Sequence, residues 1–157
     1  MKGDAKVLEA LNGTLTIELT AINQYFVQAK MLKHRGYLSL AGKMHEESVG
    51  EMKHADRIID RILFLEGVPN IARYDVIRVG TTVPEMLAND LKLESGGVKA
   101  YNAAIDLCLK AKDGGTRELL ASILVDSEAH VDWLETQIGL VEGIGLEAYL
   151  AETLKGG

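Results

Sequence analysis

The chain has 157 residues, of which 47% are hydrophobic and 25% charged, a balance typical of one globular domain with a core of its own. Its formal net charge of -6 disfavours nucleic acid as a partner, because phosphate binding needs a basic surface, and it favours cations. A single cysteine excludes an internal disulfide, and neither a secretory signal in the opening MKGDAKVLEA nor an apolar run of about 18 residues is present, so we expect a cytoplasmic protein with no membrane segment.

Apolar residues recur every three or four positions and only two prolines occur, so the sequence predicts an all-α fold. The expected helices cover about 5–35, 39–66, 83–112 and 116–142, followed by a short fifth helix at about 146–154. The third helix has the clearest start, because TVPE supplies Thr82 as the N-cap, Pro84 in the first turn and Glu85 to close a capping box. DGG at 113–115 predicts a turn. The whole chain, residues 1–157, is expected to form a single domain.

The links between the helices predict how they are arranged. The first and third links are a few residues long, which makes each flanking pair antiparallel. The second link, VPNIARYDVIRVGTT, could span about 50 Å when extended at roughly 3.3 Å per residue, whereas a helix of about 28 residues is about 42 Å long. One long crossover of this kind defines the ferritin-like four-helix bundle, whereas cytokine-like bundles need two. Separate helical hairpins are the remaining alternative.

Acidic and imidazole side chains interrupt the apolar stripes of the four long helices. They are Glu18 in the first helix, Glu51 and His54 in the second, Glu94 in the third and His130 in the fourth. Burying an acid is costly unless it is paired or bound to a metal. Because all four helices place such a side chain on the inward face, the sequence predicts a carboxylate-bridged di-iron site. In sites of this kind, two helices supply one Glu each and the other two supply a Glu-x-x-His each. A metal-free helical interaction module is the competing interpretation.

Several segments closely resemble bacterioferritin, the haem-containing branch of the ferritins. They are AINQYF at 21–26, EMKHAD at 51–56, RILFLEGVPN at 61–70 and HVDWLE at 130–135. The resemblance implies a subunit that forms a two-fold dimer and a cage of twenty-four subunits. It also implies that Fe(II) is oxidised by O2, which is ferroxidase activity, and stored as ferric mineral, with an electron-donating ferredoxin as a partner. A peroxide reductase of the rubrerythrin kind is disfavoured, because that class carries rubredoxin-like cysteine pairs and this chain has a single cysteine.

By the same resemblance, the ferroxidase ligands fall on Glu18, Glu51, His54, Glu94 and His130. The sixth falls on Ser127, where the family's residue looks like a bridging glutamate. A hydroxyl cannot act as an anionic bridge at neutral pH, so we expect a weakened second metal position and slow Fe(II) oxidation by this chain alone. Glu128 lies about 100° around the helix from Ser127, whereas Asp126 lies about 40° from His130 and is expected to orient that imidazole.

Two interpretations of Ser127 remain open. In the first, this chain supplies haem and shell to a mixed cage, and a second bacterioferritin subunit with an intact site oxidises the iron. In the second, the substitution is neutral, solvent completes the coordination, and the chain is a fully active ferroxidase that forms a homopolymer.

Met52 follows Glu51 by one residue and points about 130° away from the mean direction of Glu51 and His54. Apolar residues on that side form an outer face across the first two helices: Leu19, Ile22, Phe26, Val49, Ala55 and Ile59. In a two-fold dimer, one methionine from each subunit can supply both axial ligands of a haem. The resemblance identifies Met52 as that ligand of haem b. The alternative is a pliable packing residue at a subunit contact.

Overall fold

The computed structural model describes residues 1–155 of the chain, and over that range the chain is all-helical. Its helices are α1 (Ala5–Arg35), α2 (Leu38–Phe64), α3 (Val83–Lys110), α4 (Gly114–Ile144) and α5 (Leu146–Glu152). Four long helices form a bundle and a short one follows them, so the predicted ferritin-like architecture with one long crossover is confirmed. None of the described helices combines the length and the apolar character that crossing a membrane requires.

Two hydrophobic clusters, one at each end of the bundle, show how the helices run. The first cluster joins the beginnings of α1 and α4 to the ends of α2 and α3, through residues such as Val7, Leu120, Ile62 and Cys108. The second cluster joins the opposite ends of the same helices. Because α2 and α3 both end in the first cluster, they run parallel to each other. The link between them therefore has to traverse the length of the bundle.

A polar stripe on α1 holds this crossover, residues 65–82, against the bundle. Asn12 bonds to the backbone of Val68 and Asn70, Thr20 to that of Asp75, Gln24 to that of Arg78, and Gln28 to that of Val79. The α1 residues are spaced by four or eight positions, so they share one face of the helix. The crossover has no regular secondary structure, and these side chains satisfy backbone groups that a helix or strand would otherwise pair.

Local capping interactions set the helix ends. The capping box predicted at the start of α3 is present, with Thr82 and Glu85 exchanging hydrogen bonds. Helix α4 begins at Gly114 rather than near 116, because Asp113 acts as its N-cap and accepts a hydrogen bond from the backbone N of Thr116 at 2.9 Å. Helix α1 ends at Gly36, whose φ of 91° is a left-handed conformation that glycine adopts without strain.

A polar layer separates the two hydrophobic clusters. In α1, Glu18 lies between Leu15 of the first cluster and Ala21 of the second. The same layer of the other helices contains Glu51 and His54 in α2, Glu94 in α3, and Ser127 and His130 in α4. The fold therefore brings ligand-type side chains from four helices to one level of the bundle.

Candidate metal centre

All five residues that the sequence analysis proposed as iron ligands are buried. Their exposed fractions are 1% for Glu18, 5% for Glu51, 7% for His54, 5% for Glu94 and 4% for His130. Ionised groups at this depth are costly unless an opposite charge compensates them. The layer therefore needs either bound protons or bound cations.

Glu18, Glu51 and His54 form one candidate site, because one ligand atom from each lies within 4.8 Å of the others. We call this site metal position 1. Nδ1 of His54 lies 3.6 Å from Oε2 of Glu18 and 3.7 Å from Oε2 of Glu51. Within residues 1–155, neither His54 Nδ1 nor Glu18 Oε2 has a hydrogen-bond partner. Since buried polar atoms are nearly always paired, these facing atoms mark a place that suits a cation.

Glu47, Glu51 and His130 form a second candidate site by the same distance criterion. We call this site metal position 2. Nδ1 of His130 lies 3.3 Å from Oε2 of Glu47 and 2.9 Å from Oε1 of Glu94. Glu51 belongs to both positions, so its carboxylate can bridge two cations held side by side.

Glu47 was not among the residues singled out from the sequence. Its spacing contained the necessary information, because Glu47 precedes Glu51 by four residues and His54 by seven, and all three lie within about 60° on one face of α2. What the spacing cannot give is the distance from Glu47 to His130, which depends on how closely α2 approaches α4.

Two tyrosines connect α1 and α3 through the candidate ligands. The Tyr25 hydroxyl on α1 donates a hydrogen bond to Oε1 of Glu94 on α3, and the Tyr101 hydroxyl on α3 donates one to Oε1 of Glu18 on α1. Burial raises the pKa of both tyrosines well above its usual value, with the neighbouring glutamates adding to the effect. Both hydroxyls therefore remain protonated donors, and each fixes one oxygen of a glutamate while leaving the other free.

Asp126 contacts His54, so the prediction that it orients His130 is wrong. Its Oδ2 lies 2.9 Å from Nε2 of His54. Asp126 and His130 lie on the same side of α4, which favoured a contact between them. However, α2 packs close enough to α4 for Asp126 to reach His54 instead. The contact leaves Nδ1 of His54 facing metal position 1.

Position 127 adds little to the site from α4. Ser127 is buried, at 4% exposure, whereas Glu128 is exposed. His130 is the residue that α4 contributes to the two groups of ligand atoms. The buried carboxylates available as metal ligands at this level therefore come from α1, α2 and α3.

The pKa values of three buried candidate ligands are raised, which favours their protonated forms. Burial and the charge of Glu18 raise the pKa of Glu51 well above its usual range. Burial alone would lower the pKa of His54, but the nearby carboxylates of Glu18 and Glu51 favour the charged imidazole, outweigh burial and raise that pKa to about 11. Burial and the charge of Glu51 also raise the pKa of Glu94. A proton on His54 compensates for the carboxylates, and a cation that binds there has to displace it.

Met52 lies on the outside of the bundle, away from both metal positions. Its exposed fraction is 57%, and the neighbouring Phe26 and Val49 are 47% and 39% exposed. Ala55, which we expected on this face, is instead buried in the core at 4% exposure. The outer face of α1 and α2 thus combines an accessible thioether with exposed apolar side chains.

Comparison with known proteins gives similarity over nearly the whole chain. Residues 8–144 match the family model of the ferritin-like domain. Over 149 residues the chain is 46% identical to a bacterioferritin of Rhodobacter capsulatus and 44% identical to one of Brucella melitensis, covering 95% of this chain and 92% of each relative. A bacterioferritin of Mycobacterium tuberculosis is 43% identical over 152 residues, which cover 97% of this chain and 96% of the relative.

Proposed function

Because this chain belongs to the bacterioferritin family, we propose that it is a subunit of an iron-storing cage that takes up Fe(II) and holds it as ferric mineral. The observation that supports this function most directly is that metal positions 1 and 2 share Glu51 in the core of the bundle. Adjacent positions joined by one carboxylate suit two Fe(II) ions that give electrons to the same oxygen molecule.

Iron loading tests this function. Metal-free protein that is given Fe(II) in air should retain iron that co-elutes with the assembled protein in size-exclusion chromatography. Glu18→Gln removes a ligand from metal position 1 and should slow the initial Fe(II) oxidation by about tenfold or more, equivalent to about 1.4 kcal/mol of barrier. Glu9→Gln is the matched control, because Glu9 is exposed on the same helix. Iron that precipitates as it does in buffer alone would contradict the function.

In the proposed ferroxidase step, Fe(II) is the substrate and O2 the oxidant. Glu18, Glu51 and His54 bind one Fe(II), and Glu51 extends to the second. The carboxylates favour the ferric product because they stabilise the additional positive charge. We propose that this chain alone oxidises Fe(II) slowly, because Ser127 provides a hydroxyl where a second anionic bridge would be needed.

We further propose that Met52 binds haem b where two subunits meet around a two-fold axis. The support is the accessible thioether of Met52 beside the exposed Phe26 and Val49, since an apolar face with a soft sulfur ligand suits a haem iron. One methionine from each of the two subunits would hold the haem iron. When bound, haem supplies one-electron transfer, which release of stored iron by reduction requires.

Haem reconstitution tests the role of Met52. Met52→Leu keeps the apolar volume but removes the sulfur, so the reconstituted protein should lose the Soret band of a bis-methionine haem. Met44→Leu is the matched control, because Met44 is fully buried in the second cluster, and it should retain the band. Equal spectra for the two variants would assign the axial ligand elsewhere.

The partners proposed for this chain follow from the same premise. We propose assembly into a cage of twenty-four subunits in the cytoplasm, an electron-donating ferredoxin, and a second bacterioferritin subunit that supplies the faster oxidation. Purification of the tagged chain from its native cells tests the mixed cage, since a related chain with an acidic residue at position 127 should co-purify. Cages that contain this chain alone would contradict it.

A fully active ferroxidase homopolymer is the second candidate. It is favoured by Glu47, whose Oε2 lies 3.3 Å from His130 and adds a carboxylate that Ser127 does not provide. Stopped-flow measurement of Fe(II) oxidation separates the candidates. A homopolymer that oxidises Fe(II) as fast as its Ser127→Glu variant would support the second.

A further inference from the structure

We propose that Glu47 on α2 is the carboxylate ligand that completes metal position 2, in place of a carboxylate that α4 does not supply. This inference rests on the proposed function, since it takes the two positions to bind iron. It adds a ligand that neither the resemblance nor the helical pattern assigned. The negative charge that α4 does not provide is thus supplied by α2, which also carries Glu51 and His54.

The geometry places Glu47 within reach of a cation shared with His130. Its Oε2 lies 3.3 Å from Nδ1 of His130, and ligand atoms of Glu47, Glu51 and His130 all lie within 4.8 Å of one another. With bonds of about 2.0–2.2 Å, two ligands of one tetrahedral or octahedral cation lie about 3.0–3.5 Å apart. The Glu47–His130 separation falls within that range.

Aromatic packing holds the ring of His130 beside metal position 2. The residue is 4% exposed, and its Nε2 has no hydrogen-bond partner in the part of the chain that the structure describes. Tyr25 packs edge-on against the ring at 5.3 Å and Trp133 packs against it at 5.9 Å. This packing fixes the imidazole so that Nδ1, the nitrogen opposite Nε2, faces the carboxylates of Glu47 and Glu94.

Lys43 fixes the orientation of the Glu47 carboxylate. Its Nζ lies 2.9 Å from Oε1 of Glu47, one helical turn away on α2, and 5.1 Å from the centre of the Trp133 ring. Oε2 of Glu47 is left to face His130. A cavity of about 370 Å³ between α2 and α4 is lined by Glu47 and His130, among other residues. A cation can therefore approach metal position 2 from the side on which Glu47 lies.

Charge balance gives a reason why a substitute is needed. Two Fe(II) ions carry four positive charges, and three buried carboxylates oppose them: Glu18, Glu51 and Glu94. Glu47 contributes the fourth negative charge. Because unbalanced charge is expensive in a buried site, the second cation should bind far more tightly with Glu47 than without it.

Glu47 does not replace the second bridge. It belongs to metal position 2 only, whereas Glu51 belongs to both positions. We therefore expect two bound cations per subunit joined by one bridging carboxylate. This outcome differs from the weakened second position expected from Ser127, but it retains slow oxidation.

Anaerobic titration of the assembled, metal-free protein with Co(II) tests this assignment, because the visible absorption of Co(II) reports its binding to protein ligands. The wild-type chain should bind two Co(II) per subunit and Glu47→Gln only one. Glu128→Gln removes the same charge from an exposed residue beside Ser127 and should still bind two. In the Glu47→Gln background, Ser127→Glu should restore the lost ion by supplying the carboxylate from α4.

Each outcome decides the assignment. Two ions bound to Glu47→Gln, or no restoration by Ser127→Glu, would overturn it. If the wild type binds one Co(II) per subunit, the assignment is overturned but the proposed function stands. If the wild type binds no Co(II), the result counts against the assignment and the proposed function alike. If Glu47→Gln does not assemble, anomalous diffraction from wild-type crystals soaked in Co(II) replaces the titration. A peak bonded to Glu47 and His130 is expected, and a peak at His130 that Glu47 does not contact would refute the assignment.

Discussion

Nε2 of His54 lies 2.9 Å from Oδ2 of Asp126, so a carboxylate on α4 orients an imidazole on α2. The contact determines which nitrogen faces metal position 1, where Nδ1 lies 3.6 Å from Glu18. A carboxylate that accepts from the outer nitrogen also makes the inner nitrogen a better ligand. The side chain of Asp126 is 62% exposed, so support for this buried ligand comes from the protein surface.

Replacing Asp126 with alanine should weaken cation binding at metal position 1. The change removes the acceptor for Nε2 of His54, and the loss of such supporting partners typically costs about 10–100-fold in metal affinity. Anaerobic Co(II) titration measures the effect. Glu128→Ala, an exposed acid on the same helix, should bind as the wild type does. Equal affinity in the two variants would mean that packing alone orients His54.

Ser127→Glu should accelerate Fe(II) oxidation. The glutamate adds a carboxylate on α4 at the level of Glu51, which can bridge two irons and stabilise the charge that develops as they are oxidised. We expect the initial rate in stopped-flow measurements to rise by about tenfold or more, or about 1.4 kcal/mol of barrier. Ser127→Ala keeps the site without a second bridge and should oxidise iron at the wild-type rate. An unchanged rate in Ser127→Glu would show that the bridge is not limiting.

Cation binding at neutral pH should release protons. Burial alone would lower the pKa of His54, but the nearby carboxylates of Glu18 and Glu51 raise it to about 11, so the imidazole is protonated at pH 7 before a cation binds. Binding displaces that proton, so affinity should fall about tenfold per unit decrease in pH for each proton released. Calorimetric titration with Co(II) in buffers of different ionisation enthalpy measures the release. Binding heats that do not depend on the buffer would contradict a protonated His54.

The sequence was sufficient for the architecture because helical periodicity and link length are local properties. Apolar spacing alone places Glu18 and Glu94 on the core faces of their helices, and a long second link requires the crossover. The polar stripe that includes Thr20 and Gln24 was equally visible. However, four-residue polar spacing is also typical of a solvated helix face, so the sequence did not show that this stripe binds the crossover backbone.

The details of the site depend on distances between helices, which no periodicity encodes. The positions of Asp126 and His130 on one side of α4 predict a contact between them, but Asp126 contacts His54, which belongs to α2. The sequence does not identify Glu47 as a ligand for the same reason, since its role depends on His130, which lies 3.3 Å away on α4. A helical wheel gives the direction of a side chain, whereas a metal site requires the separation between side chains.

Asp90→Asn should stabilise the metal-free protein at high pH more than at low pH. Asp90 is fully buried, and burial raises its pKa from 3.8 to about 7, although hydrogen bonds from Gln24 and Gln28 oppose the rise. Between these pKa values the folded chain keeps a proton that the unfolded chain releases, so Asp90 lowers the free energy of unfolding as pH rises from about 4 to 7. Asparagine lacks this penalty.

Thermal unfolding at pH 5 and pH 8 measures the effect of Asp90→Asn. The gain over the wild type should be larger at pH 8, by up to about 2–4 kcal/mol. Asp106→Asn serves as the control, because Asp106 is exposed on the same helix. The effect of this substitution on stability should be nearly the same at the two pH values. A gain for Asp90→Asn that does not vary with pH would show that the buried carboxyl is not the group that titrates.

Gly96→Ala should stabilise the fold. Gly96 lies inside α3, is exposed, and has open space where a Cβ atom would be added. Glycine in a helix interior costs about 0.5–1 kcal/mol relative to alanine, because it loses more backbone entropy on folding. Chemical denaturation should therefore show a higher free energy of unfolding by that amount.

The contrasting variant is Gly36→Ala, where open space is also present but φ is 91°, so alanine should destabilise the protein by roughly 1 kcal/mol. Equal effects of the two substitutions would mean that backbone conformation does not govern the response at these sites.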